Sequence, residues 1–181
     1  MLVSELNDIY QQDQKHRLEL KYLKDKYGEE SDQVTEQWKI LEKADSLNLS
    51  RAEAIIENQG WPGPKIVGQQ GRSTLFLVIQ HADLQTQQKY LPMIRKAVSE
   101  GKAMASDLAY LEDRIAVAQG QKQIYGTQVQ QDQETGDYYV PAILDPEQVN
   151  TRRKNIGLRS LESYLKRWGI EWNNEVKNGI D

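Results

Sequence analysis

The sequence predicts a mainly α-helical protein with one small β-hairpin. Three observations support this prediction: apolar residues recur at steps of three and four over long stretches, charged residues make up 28% of the chain, and strand-like alternation is confined to residues 125–140. A hydrophobic fraction of only 38% agrees with helices that expose long polar faces. We therefore expect a single compact helical domain over residues 1–181, with a hairpin insertion at about 124–142.

The first part of the chain has the pattern of three helices. Apolar residues recur with helical spacing over residues 2–27, and Gly28 ends this first helix. A second helical pattern begins at about residue 32, and Ser50 with Glu53 has the form of a capping box that would open a short third helix. The second helix is expected to turn Val34, Trp38, Leu41 and Ala44/Asp45 toward the core.

Glycine and proline separate the helices that follow. Two prolines and two glycines in residues 60–64 exclude a regular helix or strand there. The apolar run 73–81 fits a buried helix or a buried strand, and we favour a helix because no partner strands flank it. Helices are also expected over 84–100, where Pro92 would kink or restart the helix, and over 103–119. The last of these is predicted to bury Met104, Leu108, Leu111, Ile115 and Ala118.

The pattern changes in the last part of the chain. Residues 125–130 and 137–140 have the alternation of short strands and flank the turn residues 134–136, which predicts the hairpin. Two closing helices are expected after it, at about 146–156 and about 160–177.

Composition and motifs exclude several classes of function. The net charge is −4 and cysteine is absent, which argues against nucleic acid as a partner and against disulfides, thiol nucleophiles and thiolate metal sites. No apolar run is long enough to span a bilayer and no secretory leader is evident, so we expect a soluble protein, either cytoplasmic or exported from a longer precursor. Phosphate-loop, dinucleotide-binding, zinc-protease and lipase motifs are absent. We expect neither a metal nor a cofactor, the alternative being a hard metal ion held by His81, Asp83 and another carboxylate.

Two segments place polar residues where the pattern predicts apolar ones. Asp13 and Arg17 lie one turn apart in the apolar stripe of the first helix, a spacing that suits an ion pair. Gln80, His81 and Asp83 directly follow a buried apolar run. Because buried polar groups cost free energy unless they are paired, these residues form either a structural network or a site.

His81 is the candidate for proton transfer, since an imidazole at the end of a buried run suits a general acid or base. Asp13 or Asp113 would orient the imidazole, and the simpler alternative is a buried histidine bonded to a backbone carbonyl. Asp113 and Arg114 follow Tyr110 on a second, more polar face of one predicted helix. That face either joins the same site or is merely solvated.

Two further segments have the composition of a polar ligand site. Tyr125, Thr127 and Gln128 combine a phenol, a hydroxyl and an amide beside a glycine, as in a hydrogen-bonding wall around a ligand, although an ordinary polar strand entry explains them as well. The basic residues 152–154 are either solvated charge or supply Arg153 as a clamp for a carboxylate or phosphate.

Short motifs spread over roughly residues 5–166 carry a family resemblance. They are Asp13-Gln14 with Arg17, Gly60-Trp61-Pro62, Val67-Gly68, Gln80-His81-Ala82-Asp83, Leu91-Pro92, Tyr110-Leu111-x-Asp113-Arg114, Gly120-x-x-Gln123-x-Tyr125-Gly126-Thr127-Gln128, and Arg152-Arg153 before Gly157-Leu158. Together they resemble a family of bacterial proteins known only as a domain of unknown function. The resemblance implies no activity. It implies that the unusual polar residues share one pocket, formed by His81, Asp13, Arg17, Asp113, Arg114, Tyr125, Thr127 and Gln128, whereas His16 lies outside the pattern.

Two hypotheses of different classes follow. In the first, the polar residues form a pocket that binds or transforms a small anionic or amide-bearing ligand, as a metal-independent hydrolase or lyase would. In the second, the same residues hold helices together in a non-enzymatic interaction module that binds a protein partner. Trp168, Trp172 and Tyr138-Tyr139 are the candidate aromatic contacts of such a module.

Overall fold

The computed structural model describes residues 2–172 and confirms the predicted fold class. Seven α-helices and one two-stranded antiparallel sheet are found in this part of the chain. The chain divides into two compact units, Met1–Ala103 and Met104–Asp181, which we call the N-terminal and the C-terminal unit. The single domain expected from the sequence stays a prediction. Within residues 2–172, no helix combines the length and the apolarity that crossing a lipid bilayer requires.

Four helices form the N-terminal unit: α1 (Leu2–Tyr27), α2 (Asp32–Gln59), α3 (Pro64–His81) and α4 (Leu84–Ser99). Gly28 ends α1 in the left-handed region, with φ 84°, which few residues other than glycine adopt. Helix α1 packs against both α2 and α3, so that polar side chains on its inner face meet side chains from two other helices.

The predicted helix start at Ser50 is wrong, because α2 runs without a break from Asp32 to Gln59. No glycine or proline interrupts this stretch, so the backbone ladder continues through the Ser50–Glu53 pattern. Arg51 instead reaches across to α1, where it lies 2.6 Å from a carboxylate oxygen of Glu5 and 2.7 Å from one of Asp8.

Three residues that were expected in the core are exposed, one of them Ala118 at the end of its helix. Trp38 is 42% exposed, and the buried residue beside it is Gln37, whose amide donates to the carbonyl of His16 at 3.1 Å. The amide is tolerated inside because the carbonyl satisfies it. Met104 is also 42% exposed, because it precedes the helix as its N-cap rather than lying within it.

Helix α3 confirms the helical interpretation of the apolar run 73–81. Its first turn is separated from the rest by a kink at Gly68, where φ is 72°. At Gly71 an added Cβ would lie 2.8 Å from Cβ of Val67 and 3.1 Å from Cδ1 of Leu6. The missing side chain therefore allows α3 to approach α1 closely.

The C-terminal unit begins with α5 (Ala105–Ala118) and continues into the hairpin strands β1 (Gln130–Gln131) and β2 (Tyr138–Tyr139). Short helices follow: a 3-10 turn at Pro146–Gln148, α6 (Val149–Asn155), α7 (Leu161–Leu165) and a second 3-10 turn at Lys166–Trp168. The predicted closing helices are thus present in shorter form, and residues 173–177 of the second lie outside the described part. The core of this unit contains Ile143, Val149, Leu161, Tyr164 and Leu165.

The hairpin is confirmed, but its strands are shorter than predicted. Gln130 pairs with Tyr139 and Gln131 with Tyr138, whereas residues 125–129 lie outside the ladder. The reason is that several backbone N–H groups before β1 donate to side chains, chiefly to the carboxylate of Asp113. A strand cannot form where these donors are already used.

Candidate functional site

The N-terminal unit contains a buried carboxylate bonded to an imidazole. Nδ1 of His81, at the end of α3, lies 2.8 Å from Oδ1 of Asp13 on α1. Asp13 is only 1% exposed, while the His81 side chain is 18% exposed. An ionised carboxylate at Nδ1 favours a proton on that nitrogen, which leaves Nε2 as an acceptor. No hydrogen-bond partner of Nε2 occurs in residues 2–172, and the sequence-based alternative that His81 bonds to a carbonyl is wrong.

Arg17 joins this pair to α2. Its Nη2 lies 3.2 Å from Oδ1 of Asp13 and 2.7 Å and 2.9 Å from the two carboxylate oxygens of Asp45. The Nε2 amide of Gln14 donates to the other oxygen of Asp13 at 2.8 Å. Both carboxylate oxygens of Asp13 are therefore bonded, which explains how a charge is accommodated at a buried position.

The pKa values of the two carboxyl groups in this network are shifted in opposite directions. Burial by itself would raise the pKa of Asp13, but the hydrogen bond and charge of His81, with the charge of Arg17, lower that pKa to about 2. For Asp45, burial outweighs the charge of Arg17 and raises the pKa above its usual range. Asp13 is therefore the residue that remains ionised to orient the imidazole.

The balance of charge restricts what this network can bind. With both carboxylates ionised and the imidazole neutral, Asp13 and Asp45 outnumber the one guanidinium of Arg17, whose Nη2 already contacts both of them. A ligand anion would meet an excess of negative charge there. Arg17 contacts Asp13 here, and its role in binding a ligand stays a prediction.

Sequence reasoning missed two members of this region, and a signal was present for one. Asp45 was assigned to the inner face of α2 without a role, although a carboxylate on an apolar face is the same signal that singled out Asp13. Asn48, one turn further along α2, is buried and its Nδ2 has no hydrogen-bond partner in the described part of the chain. Asn48 gave no comparable signal in the sequence, because it is a single uncharged amide one turn from Asp45.

Gln80 and Asp83, on either side of the His81-Ala82 pair, form hydrogen bonds at the turn into α4. Asp83 is exposed and is the N-cap of α4, where it accepts a hydrogen bond from the backbone N–H of Thr86 at 2.7 Å. That bond lowers the pKa of Asp83. The carbonyl of Gln80 accepts from Nε2 of Gln87 at 3.0 Å. A role for Gln80 or Asp83 in binding a ligand stays a prediction.

Asp113 is the centre of a second network, which lies in the C-terminal unit. Its fully buried carboxylate accepts hydrogen bonds from the backbone N–H groups of Ile124 at 2.7 Å, Tyr125 at 3.1 Å and Thr127 at 2.9 Å, and from the hydroxyl of Thr127 at 2.9 Å. Burial raises the pKa of Asp113, and these donors act in the opposite direction. The carboxylate holds the segment 124–127 by its N–H groups.

Arg153 holds the same segment by its carbonyl groups. The guanidinium is fully buried, donates to the carbonyls of Arg159 and Tyr125 at 2.7 Å each, and lies 4.8 Å from the centre of the Tyr164 ring. Tyr164 in turn donates its hydroxyl to the carbonyl of Thr127 at 2.7 Å. With its hydrogen bonds to backbone carbonyls, Arg153 acts here as a structural clamp, and its binding of a carboxylate or phosphate stays a prediction.

The remaining predicted residues surround these contacts. Gln128 donates its Nε2 to the Thr127 hydroxyl at 3.1 Å and to the carbonyl of Tyr110 at 3.4 Å. Its backbone N–H donates to Oε1 of Gln123, a buried residue that sequence reasoning quoted only within a motif. Arg114 lies on α5 and is half-buried.

The structure thus sorts the predicted residues into two networks, one in each unit. Asp13 fills the orienting position at His81, whereas both oxygens of Asp113 accept hydrogen bonds from the segment 124–127. That all of these residues share one pocket stays a prediction. Among residues 2–172, no group of three or more histidine or acidic side chains could hold a metal ion.

Fold and site together define a mainly helical protein with a buried carboxylate–imidazole pair in its N-terminal unit. The chain belongs to a family described as a family of unknown function (DUF6624), whose family model matches residues 14–177. The membership inferred from the motifs is thereby confirmed. Neither a curated protein nor a solved structure matches the chain.

Proposed function

We propose that His81 is the general acid and base of a metal-independent hydrolase or lyase that acts on a small amide-bearing ligand. The observation that carries the proposal is the arrangement of the two ring nitrogens. Nδ1 is held by the buried Asp13, and Nε2, in a partly exposed side chain, has no partner among residues 2–172. A base fixed in one tautomer with its acceptor nitrogen open is the arrangement that proton transfer needs.

Each residue of the network has a separate role in this proposal. For hydrolysis, Nε2 of His81 takes a proton from a water molecule as its oxygen attacks the amide carbon, and the imidazolium then returns that proton to the leaving nitrogen. Asp13 orients the ring and stabilises the imidazolium. Arg17, held by Asp45, keeps Asp13 in position.

The charge of the site favours an amide over an anion as the ligand. The sequence left both open, and the guanidinium that would have bound an anion is paired with Asp13 and Asp45. An amide has no net charge to be repelled, and its N–H groups can donate to carboxylate oxygens. Of the two ligand classes that the sequence left open, the neutral amide is therefore the one with the smaller electrostatic cost.

A specific observation also supports the second candidate function, an interaction module. Tyr138 and Tyr139 are both exposed on the hairpin, where their rings are available to a protein partner. Trp168 and Trp172 contribute less to such a surface, because they are only partly exposed and pack against the core of the C-terminal unit. In this candidate the buried networks serve stability alone.

A panel of acyl p-nitroanilides, assayed for release of nitroaniline across pH, tests the proposed chemistry. We expect hydrolysis of at least one member, lost by about 100-fold or more in both His81→Gln and Asp13→Asn. His16→Gln, which changes the only other histidine, should retain the wild-type rate. Equal rates in wild type and His81→Gln, or no hydrolysis of any amide, would favour the interaction module.

The tautomer of His81 provides a second readout that does not depend on finding a substrate. In ¹⁵N-labelled protein with the imidazole of His81 in its neutral form, Nδ1 should carry the proton and Nε2 should not. Asp13→Asn should shift the population toward the opposite tautomer. A wild-type imidazole protonated at Nε2 would contradict the proposal.

A further inference from the structure

A cleft of about 410 Å³ lies in the N-terminal unit, away from His81. It is formed by the end of α2, the turn into α3, and the second half of α4 with the residues that follow it. Its volume falls within the roughly 300–1,000 Å³ that is usual for small-ligand sites. The lining residues are Gln59, Gly60, Trp61, Pro92, Met93, Lys96, Ala97, Glu100 and Lys102.

Part of this lining is apolar and contains one unsatisfied donor. Trp61, Pro92, Met93 and Ala97 contribute an indole ring and aliphatic surface. Trp61 is 5% exposed, and its indole N–H is buried without a hydrogen-bond partner in residues 2–172. A buried donor without an acceptor costs free energy, so a ligand oxygen that reached it would recover that cost.

The rim of the cleft carries an excess of positive charge. Nζ of Lys102 lies 2.7 Å from one oxygen of Glu100, and Nζ of Lys96 lies 3.8 Å from the other. Two ammonium groups thus share one carboxylate, in a protein whose net charge is −4. Ion pairs between exposed side chains contribute little, so a ligand carboxylate can exchange with Glu100 at small cost.

We propose that this cleft binds a small carboxylate with an apolar body, such as an aryl or short alkyl acid. The apolar part packs on Trp61 and Met93, and the carboxylate lies between Lys96 and Lys102. None of these residues belongs to the His81 network, so this site is independent of the proposed amide chemistry.

Titration of the ¹⁵N-labelled full chain with phenylacetate tests the proposal. Trp61→Phe assigns the indole N–H signal of Trp61 among the four tryptophans. We expect that signal to shift with a saturating dependence at millimolar phenylacetate, while the signal of the exposed Trp38 stays unchanged. The neutral isostere phenylacetamide should bind at least about threefold more weakly, because it cannot use the positive rim.

Two charge variants are expected to change the dissociation constant of phenylacetate in opposite directions. Lys102→Met should raise the dissociation constant of phenylacetate about threefold, and Glu100→Gln should lower it by a similar factor. Lys39→Met removes a lysine that is paired with Glu36 on α2, outside the cleft, and should leave binding unchanged. An unshifted Trp61 signal at about 10 mM phenylacetate, or equal binding of acid and amide, would overturn the proposal.

Discussion

Asp13 is the residue on which the network of the N-terminal unit depends. It lies in a helical stripe whose other buried members, Leu6, Ile9 and Leu20, are apolar. A carboxylate at such a position would be strongly destabilising if it were unpaired. Its contacts with His81 and Arg17 reverse that expectation, because they hold the charged form more strongly than water does and lower the pKa to about 2.

The lowered pKa of Asp13 predicts a loss of stability in acid. The pKa of the Asp13 carboxyl is 3.8 in the unfolded chain and about 2 in the folded protein. Its contribution to the free energy of unfolding is therefore complete above pH 3.8 and is lost as the pH falls through the folded pKa of about 2. We expect the free energy of unfolding to fall by about 2 kcal/mol between about pH 5 and pH 2 from this residue.

Urea unfolding at both pH values, in wild type and Asp13→Asn, measures that contribution. The variant should lose about 2 kcal/mol less than wild type over the same interval, whereas Asp25→Asn, an exposed position on the same helix, should follow wild type. Parallel loss in wild type and Asp13→Asn would show that the carboxylate is not held in its charged form.

At the scale of elements, local sequence signals predicted most helices well. They failed where backbone N–H groups donate hydrogen bonds to side chains. The first helix ends at Gly28 as expected, and α4 begins after its N-cap Asp83. The strand predicted from residue 125 begins only at Gln130, because Asp113 accepts N–H groups before it that a ladder would use. No pattern within the hairpin sequence reveals that competition, since Asp113 lies on the preceding helix.

Gly126 tests how tightly the segment 124–127 is packed. Its φ is 65°, and an added Cβ would lie 2.7 Å from Cδ1 of Ile143 and 3.1 Å from Cδ1 of Leu161. Gly120 has a similar φ of 69°, and no atom of residues 2–172 lies within 4 Å of a Cβ added there, so an alanine would be strained in its backbone without a clash. We expect Gly120→Ala to cost about 1 kcal/mol and Gly126→Ala about 1–3 kcal/mol more, measured by urea unfolding. Equal losses of unfolding free energy in the two variants would mean that the side chains around residue 126 rearrange without cost.

At the scale of the whole molecule, the sequence predicts one domain and the contacts form two compact units. The number of unfolding transitions distinguishes one domain from two units that unfold separately, because a single domain loses all of its structure in one transition. A substitution in each buried network reports on the stability of its own unit. Asp13 belongs to the N-terminal unit and Asp113 to the C-terminal unit.

We expect one thermal transition, lowered by several degrees in Asp13→Asn and in Asp113→Asn alike. Calorimetry compares the two variants with Asp137→Asn, an exposed position in the hairpin turn that should leave the midpoint unchanged. Two transitions, each shifted by only one of the two buried-site variants, would show that the units unfold separately and that the single-domain prediction is wrong.

The sequence by itself determined the helical class, the end of the first helix at Gly28, and the identity of the unusual polar residues. These are properties of neighbours in the chain, and periodicity records them. Only the tertiary structure decided the partners, since Asp13 and His81 are 68 positions apart and Arg17 and Asp45 are 28 apart. A hydrogen bond between distant positions depends on how helices pack, and packing leaves no periodic trace in a single sequence.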